Sequence, residues 1–216
     1  MNWSNILNAR AYKESDIHPH CPEEKAELFS SFEQGSVELE VMDFLYGLVR
    51  LFKPKRIMET GTHYGISAVA LGIACQQNGF GKVVSIENDA GKVIKSRALI
   101  DSLQLGNFVE IIEDESLKYI QTLSAPNDSF DFTFLDSMTP IRAAEFKLLR
   151  EKELVNNLVA FHDSSRLREK TFVLPNEPQD EYIRAIDQIE KLYCRGGIET
   201  NYSRGFRLMQ ISKMFV

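Results

Sequence analysis

From residue 56 onward, short apolar runs alternate with longer stretches whose apolar positions fall three and four apart. The runs at 56–60, 82–87, 109–113, 130–136 and 158–162 have the length and composition of strands. Between them, 66–77, 90–103, 116–123 and 141–156 follow the helical period. Such alternation predicts βαβ units and a parallel sheet buried on both faces, with every strand's C-terminal end on one edge. Upstream, Val37, Leu39, Val41, Met42, Leu45, Leu48, Val49 and Phe52 predict an amphipathic helix over 37–52, which Pro54 ends. Downstream, Tyr182, Ile183, Ile186, Ile189, Leu192 and Tyr193 predict a helix over 180–193, stopped by Arg195-Gly196-Gly197. Two strand-like runs follow, 198–203 and 206–212, and Arg204-Gly205 between them signals a hairpin. The polar stretch 13–36 carries no readable period.

Composition narrows the partners more than the fold. The chain has 216 residues, enough for one sizeable domain, with 44% hydrophobic and 26% charged residues. A net charge of −6 speaks against a nucleic-acid partner, because phosphate binding needs a basic face. No apolar run approaches the roughly 20 residues that span a bilayer, and the first residues lack the pattern of a secretory signal. Three scattered cysteines, Cys21, Cys75 and Cys194, read as reduced thiols of a cytoplasmic protein. His18-Pro19-His20-Cys21 lacks a second ligand cluster and reads as an ordinary loop.

The chemistry concentrates at strand ends. The first strand runs into Glu59-Thr60-Gly61-Thr62-His63-Tyr64-Gly65-Ile66-Ser67, an acid followed by two glycines and a helix start. A strand, a glycine turn and a helix N-terminus make a cradle of nucleotide size. Glu87, 22 residues after Gly65 at the end of the second strand, has the place of an acid that accepts both hydroxyls of a ribose. Asp114 and Ser116 close the third strand, and Asp114 reads equally as a helix N-cap. Asp136 ends the aromatic fourth strand, and His162-Asp163 end the fifth.

The spacing Glu-x-Gly-Thr-x-x-Gly-x-Ser resembles the first motif of the class I S-adenosylmethionine-dependent methyltransferases, in the variant of the small O-methyltransferases. Phe132-x-Phe134-Leu135-Asp136 is similar to the fourth motif of the catechol-type and sugar-tailoring members, and the ending Phe161-His162-Asp163 to a wider set of small methyltransferases. The resemblance covers about 37–216. It implies an α/β fold, a Rossmann-like three-layer sandwich with a seven-stranded, mostly parallel sheet and a C-terminal antiparallel hairpin. An N-terminal helical cap would occupy 1–52 and the cofactor-binding core 53–216. It further implies a cofactor, S-adenosylmethionine, across Glu59, Gly61, Thr62, Gly65, Ser67, Glu87, Asp114, Ser116 and Asp136. Asp136, His162 and Asp163 become candidates for catalysis and for a divalent metal, Mg²⁺ or Mn²⁺, that acidifies an acceptor hydroxyl. The chain departs from the metal-dependent patterns at strand five, where Ser164 follows Asp163 and His162 stands in place of an acid. His162 then reads as a ligand, a general base, or a histidine bonded to a neighbour. Asn156-Asn157 stands where the family has Gly-Gly, in a turn that asparagine tolerates.

The expected activity is methyl transfer to a hydroxyl of a small molecule, without nucleic acid or membrane, by a chain that helix 37–52 could pair as a homodimer. Acceptor pockets in this family draw on the N-terminal segment and the loop after strand five. Here that loop is the long 164–179 run, with Arg166, Arg168 and Lys170, a lid or a surface excursion. A solvent-facing His63 is expected. Two other classes compete: an NAD(P)-dependent oxidoreductase, which the missing third glycine and the terminal hairpin oppose, and a non-catalytic nucleoside-binding module.

Overall fold

Ile57 and Met58 are neighbours on one strand, and they enter different cores. In the computed structural model, which describes residues 1–17, 26–167 and 179–212, this division repeats along the sheet. Ile57, Val83, Phe134 and Ala160 face one layer of helices, while Met58, Val84, Leu135 and Phe161 face the other. Successive strand side chains point to opposite faces, so a run of apolar residues without alternation means a sheet covered on both sides.

The N-terminal part comprises α1 (Trp3–Leu7), β1 (Tyr12–Lys13), α2 (Glu14–Ile17), a 3-10 turn (Ala26–Leu28), β2 (Ser30–Ser31) and α3 (Leu39–Phe52). The alternating part is β3 (Arg56–Thr60), α4 (Ile66–Asn78), β4 (Lys82–Glu87), α5 (Ala90–Ser102), β5 (Val109–Glu113), α6 (Ser116–Thr122), β6 (Phe130–Leu135), α7 (Thr139–Glu151) and β7 (Val155–His162). It closes with α8 (Gln179–Tyr193), β8 (Cys194–Thr200) and β9 (Phe206–Ile211). Strands β1 and β2 form a small antiparallel pair, and the other seven order as β5-β4-β3-β6-β7-β9-β8. Strands β3 to β7 are parallel, and β9 runs antiparallel to both β7 and β8. This is the expected sheet with its terminal hairpin. The chain moves outward from β3 to β5, then returns to place β6 on the other side of β3. Ligands of open α/β sheets bind at such a switch point, beyond the strands' C-terminal ends.

Helix α4 is buried from Ser67 through Cys75, because α3 covers it on the side away from the sheet. A Cβ on Gly72 would lie 2.4 Å from Val109 Cγ2, so that glycine sets how closely α4 approaches β5. Met42, Leu45 and Val49 of α3 share a core with Ile57 of β3. The centre of the apolar stripe that defines this helix in the sequence is therefore covered by its own chain, while Phe52 at its end is exposed.

Three local expectations need correction. The turn before β7 falls at Glu153, whose φ is 57°, and Asn156 and Asn157 already lie within the strand. Gly196 and Gly197 do not end a helix in a loop: α8 passes at Tyr193 straight into β8, with an irregular register between Cys194 and Gly196. A Cβ on Gly197 would lie 2.4 Å from the Leu208 carbonyl oxygen, so close strand approach explains the glycine. Helix α7 ends at Glu151, five residues before the expected 156. The His18–Cys21 loop and most of the 164–179 run lie outside the described residues. Among the described residues, no helix is long and apolar enough to cross a membrane.

Candidate active site

The glycine turn after β3 is built by close approach. Gly61 and Gly65 have φ of 84° and 90°, a region where only glycine carries no Cβ penalty. A Cβ on Gly61 would lie 2.3 Å from the carbonyl oxygen of Asp136, where the ends of β3 and β6 meet. The N–H groups of Gly61 and Thr62 donate to the Ile86 carbonyl at 2.9 and 3.1 Å, which ties the turn to β4. Gly65 precedes α4 and offers no side-chain cap, so its N-terminal end is left open. Above the turn lies a cleft of about 570 Å³. Thr62, Ser67, Glu87, Asp114 and Ser116 lie on one part of its wall, and Asp136, Arg142, Asp163 and Arg204 on another. Gly35, Ser36 and Val37 of the N-terminal segment complete it.

Of the expected site residues, Glu59, Gly65 and His162 are not on that wall. Glu59 is fully buried beneath it, accepting from Ser85 Oγ, which also meets Thr62 Oγ1 at 2.5 Å. Among the described residues its Oε1 accepts no hydrogen bond of ordinary geometry, though Ser67 stands close, and burial pushes its pKa up to about 7. Glu87 accepts three backbone N–H bonds, from His63 at 2.8 Å, Asn88 at 3.1 Å and Asp89 at 3.0 Å. A carboxylate has about four acceptor positions, so about one remains for a ligand. Asp114 accepts from Glu115 N and Lys118 Nζ, both at 2.9 Å, and the bond from Lys118 holds its pKa below the ordinary value. Glu115, rather than Asp114, occupies the N-cap position of α6. The expectation that His63 faces solvent also fails. Its ring is half-buried on the cleft wall, beside Gly35, and burial lowers its pKa.

Two charged residues of α7 had no place in the sequence reading. Glu145 is buried and accepts from Thr60 Oγ1 and Ser137 Oγ, each at 2.9 Å, and from Ser116 Oγ. It thereby joins the ends of β3 and β6 to the start of α6. Arg142 is buried one turn earlier, and its guanidinium donates to five acceptors. These are Ser137 O at 2.6 Å, His162 O at 2.6 Å, Tyr182 Oη at 3.4 Å, Asp136 Oδ1 at 3.0 Å and Asp163 Oδ2 at 2.9 Å. An arginine has five N–H donors, so all are engaged. The signal was present, since Arg142, Glu145 and Leu149 follow the helical period of the buried face.

His162 bridges two acids. Nδ1 lies 2.9 Å from Asp136 Oδ1, and Nε2 lies 2.8 Å from Glu38 Oε2. Burial pulls its pKa down, but the Asp136 and Glu38 carboxylates outweigh this and hold it at about 9. Both ring nitrogens then donate, and the ring is an imidazolium at neutral pH. Arg204, from the β8–β9 turn, stands 3.4 Å from Glu38 and 3.7 Å from Asp163. Glu38, His162, Asp136, Arg142, Asp163 and Arg204 thus close a ring in which three acids alternate with three cations. Burial raises Glu38 less than Arg204 and His162 lower it, so this acid stays ionised. Glu14 stands 3.9 Å from Arg204, outside the ring, and burial pushes it up to about 7.

Asp136, His162 and Asp163 each offer one ligand atom within 4.8 Å of the others, as a metal site requires. The donor atoms are already committed, however. Asp136 Oδ1 receives both His162 and Arg142, and Asp163 Oδ2 receives Arg142. In this arrangement the triad does not fit a divalent ion, which would meet a fixed guanidinium at contact range. The glycine turn, by contrast, fits the cofactor: Gly61 and Thr62 present it on the cleft wall at the switch point, and Glu87 keeps an acceptor position beside it.

The family described as a methyltransferase domain matches residues 58–164, from β3 to just past β7. No curated protein matches the chain in sequence. Among solved structures, an O-methyltransferase from Bacillus cereus in complex with SAH aligns with a TM-score of 0.69 at 22% identity, over 83% of this chain and 84% of that one. The O-methyltransferase TomG from Streptomyces achromogenes, in complex with SAM, gives 0.69 at 21% identity over 82% of each chain. The SAH-bound methyltransferase PaMTH1 from Podospora anserina gives 0.64 at 20%, over 89% and 83%. The nicotinamide reading loses its ground, since the sheet ends in an antiparallel hairpin and the matched family transfers methyl groups. The glycine turn at the switch point, the seven-stranded order and the family match together place this chain among the class I methyltransferases, whose methyl donor is S-adenosylmethionine.

Proposed function

We propose that this enzyme methylates a hydroxyl group of a small molecule. One observation carries the reading: a single cleft runs from Glu87, across the glycine turn, to Asp136 and Asp163 on neighbouring strand ends. Gly61, Thr62 and Ser67 would hold the amino acid end of S-adenosylmethionine, on a turn that Gly65 shapes from behind the cleft wall. Glu87 would take its ribose, and Asp114 with Ser116 would edge the adenine. When bound, the cofactor supplies a methyl group already activated on a sulfonium. The chain's own part is to place an acceptor oxygen in line with it and to keep water out. Both bonds to Asp136 fall on Oδ1, and among the described residues none falls on Oδ2. Oδ2 is then the atom that receives the acceptor's O–H and draws off its proton. His162 acts through Asp136, as a positioning residue. A hydroxyl fits this acid end better than a carboxylate acceptor would, because like charges repel. The cleft volume lies in the range of small-molecule sites, and the net charge of −6 supports such an acceptor over a nucleic acid. The free thiols of Cys75 and Cys194 accord with a cytoplasmic enzyme.

Calorimetry with S-adenosylhomocysteine tests the cofactor site. Binding should be measurable in the wild type and weakened at least tenfold in Glu87→Ala. An absence of binding at high micromolar ligand would overturn the reading. A panel of catechols, phenols and sugar hydroxyls, followed by methyl incorporation, tests the acceptor class.

A further inference from the structure

The ring of alternating charges closes the end of the cleft away from Glu87, and Arg142 stands between its two strand-end acids. We propose that this methyltransferase works without a divalent metal, and that the Arg142 guanidinium permanently holds the position between Asp136 and Asp163 that a cation would otherwise take. The inference rests on the proposed acceptor end but not on the identity of the acceptor.

Three observations converge on it. Arg142 reaches both acids, at 3.0 and 2.9 Å, so it does not merely neighbour one of them. Its remaining donors are spent on Ser137 O, His162 O and Tyr182 Oη, and its Cζ lies 5.5 Å from the Tyr182 ring centroid. Tyr182 Oη in turn donates to His162 O at 2.7 Å. A guanidinium held on every N–H cannot swing aside for an ion without leaving several buried partners unsatisfied. Second, the third candidate ligand, His162, is fixed through both nitrogens by carboxylates, Nδ1 against Asp136 and Nε2 against Glu38. Third, Arg204 sets a second guanidinium 3.7 Å from the other carboxylate oxygen of Asp163, so both oxygens of that acid already face fixed cations.

The chemistry follows from charge. A divalent metal lowers the pKa of a hydroxyl by binding its oxygen directly. Arg142 cannot bind the oxygen in that way, because it has donors only and they are occupied. It keeps Asp136 and Asp163 ionised and aimed, so that the unpaired oxygen of Asp136 is an acceptor for the substrate O–H.

Electron paramagnetic resonance with Mn²⁺ alone tests this on the full-length protein. The signal of free Mn²⁺ should persist undiminished when wild-type protein is added at high micromolar concentration. Arg142→Ala should create a site, tightening Mn²⁺ binding at least about 100-fold through loss of the fixed positive charge. Arg142→Lys, which keeps the charge, should restore exclusion. Tight Mn²⁺ binding by the wild type, abolished by Asp136→Asn, would overturn the proposal even if Arg142→Ala failed to fold. S-adenosylhomocysteine binding in the presence of a chelator is measured in parallel. Its loss from the untreated wild type would sink the methyltransferase site, while leaving the metal question to the Mn²⁺ result.

Discussion

Replacing Glu59 by glutamine removes one proton from the folding equilibrium and little else. Glu59 is 0% exposed at the end of β3, with only Ser67 and Ser85 to offset its burial and like charges, Asp136 and Glu87, nearby. Burial raises its pKa from 4.5 to about 7. At about 1.4 kcal/mol for each tenfold, that rise corresponds to about 3 kcal/mol. Because the native carboxyl holds a proton that the unfolded chain releases, its contribution is fully present below the unfolded pKa. It is lost as pH rises through the folded value. The wild type should therefore lose about 2 to 3 kcal/mol of stability relative to Glu59→Gln between roughly pH 5 and pH 8. Any packing penalty from the amide shifts the whole curve and leaves its slope untouched. Urea unfolding of both proteins across that range, without cofactor, measures the difference directly. Parallel stability profiles would refute the argument, since they would mean that the Glu59 carboxyl titrates alike in folded and unfolded chains.

The glycine turn predicts that Gly61→Ala loses S-adenosylhomocysteine binding by calorimetry and lowers the melting temperature, because its Cβ would press on the Asp136 carbonyl at 2.3 Å. A variant that binds like the wild type would show that the turn is not the cradle. Glu38→Gln leaves His162 and Arg204 without their shared counter-charge and should cost about 3 to 5 kcal/mol in chemical denaturation, the loss expected on breaking a buried ion pair. Leu45→Ala, in the seam between α3 and the core, should cost about 2 to 5 kcal/mol by the same assay. An unchanged midpoint would mean that α3 packs loosely.

The strands and helices of the sheet were legible because burial on two faces leaves unbroken apolar runs, and covered helices keep their period. The glycine turn was legible for a similar reason: positive φ and close approach leave glycine as the ready choice, and Gly61 and Gly65 meet both conditions. What escaped was pairing across distance. Nothing near Glu38 in the chain announces that it will meet His162, 124 positions away, or Arg204, 166 away. Arg142 and Glu145 were hidden differently, as charged residues at positions the period reserves for the core. Treating such violations as signals would have found both. Asn156-Asn157 stands at the family's Gly-Gly position without marking the turn, because here the backbone turns at Glu153.

The two halves of the cleft are assembled from very different reaches of chain. Its nucleoside end, from Gly61 to Ser116, comes from three successive βα units. Its acid end needs Glu38 from before the first sheet strand, His162 and Asp163 from the fifth, and Arg204 from the closing hairpin. Contacts so remote in sequence must await nearly complete folding. A partly folded or C-terminally shortened chain would thus own a place for a nucleoside well before it owned a neutral, organised place for an acceptor.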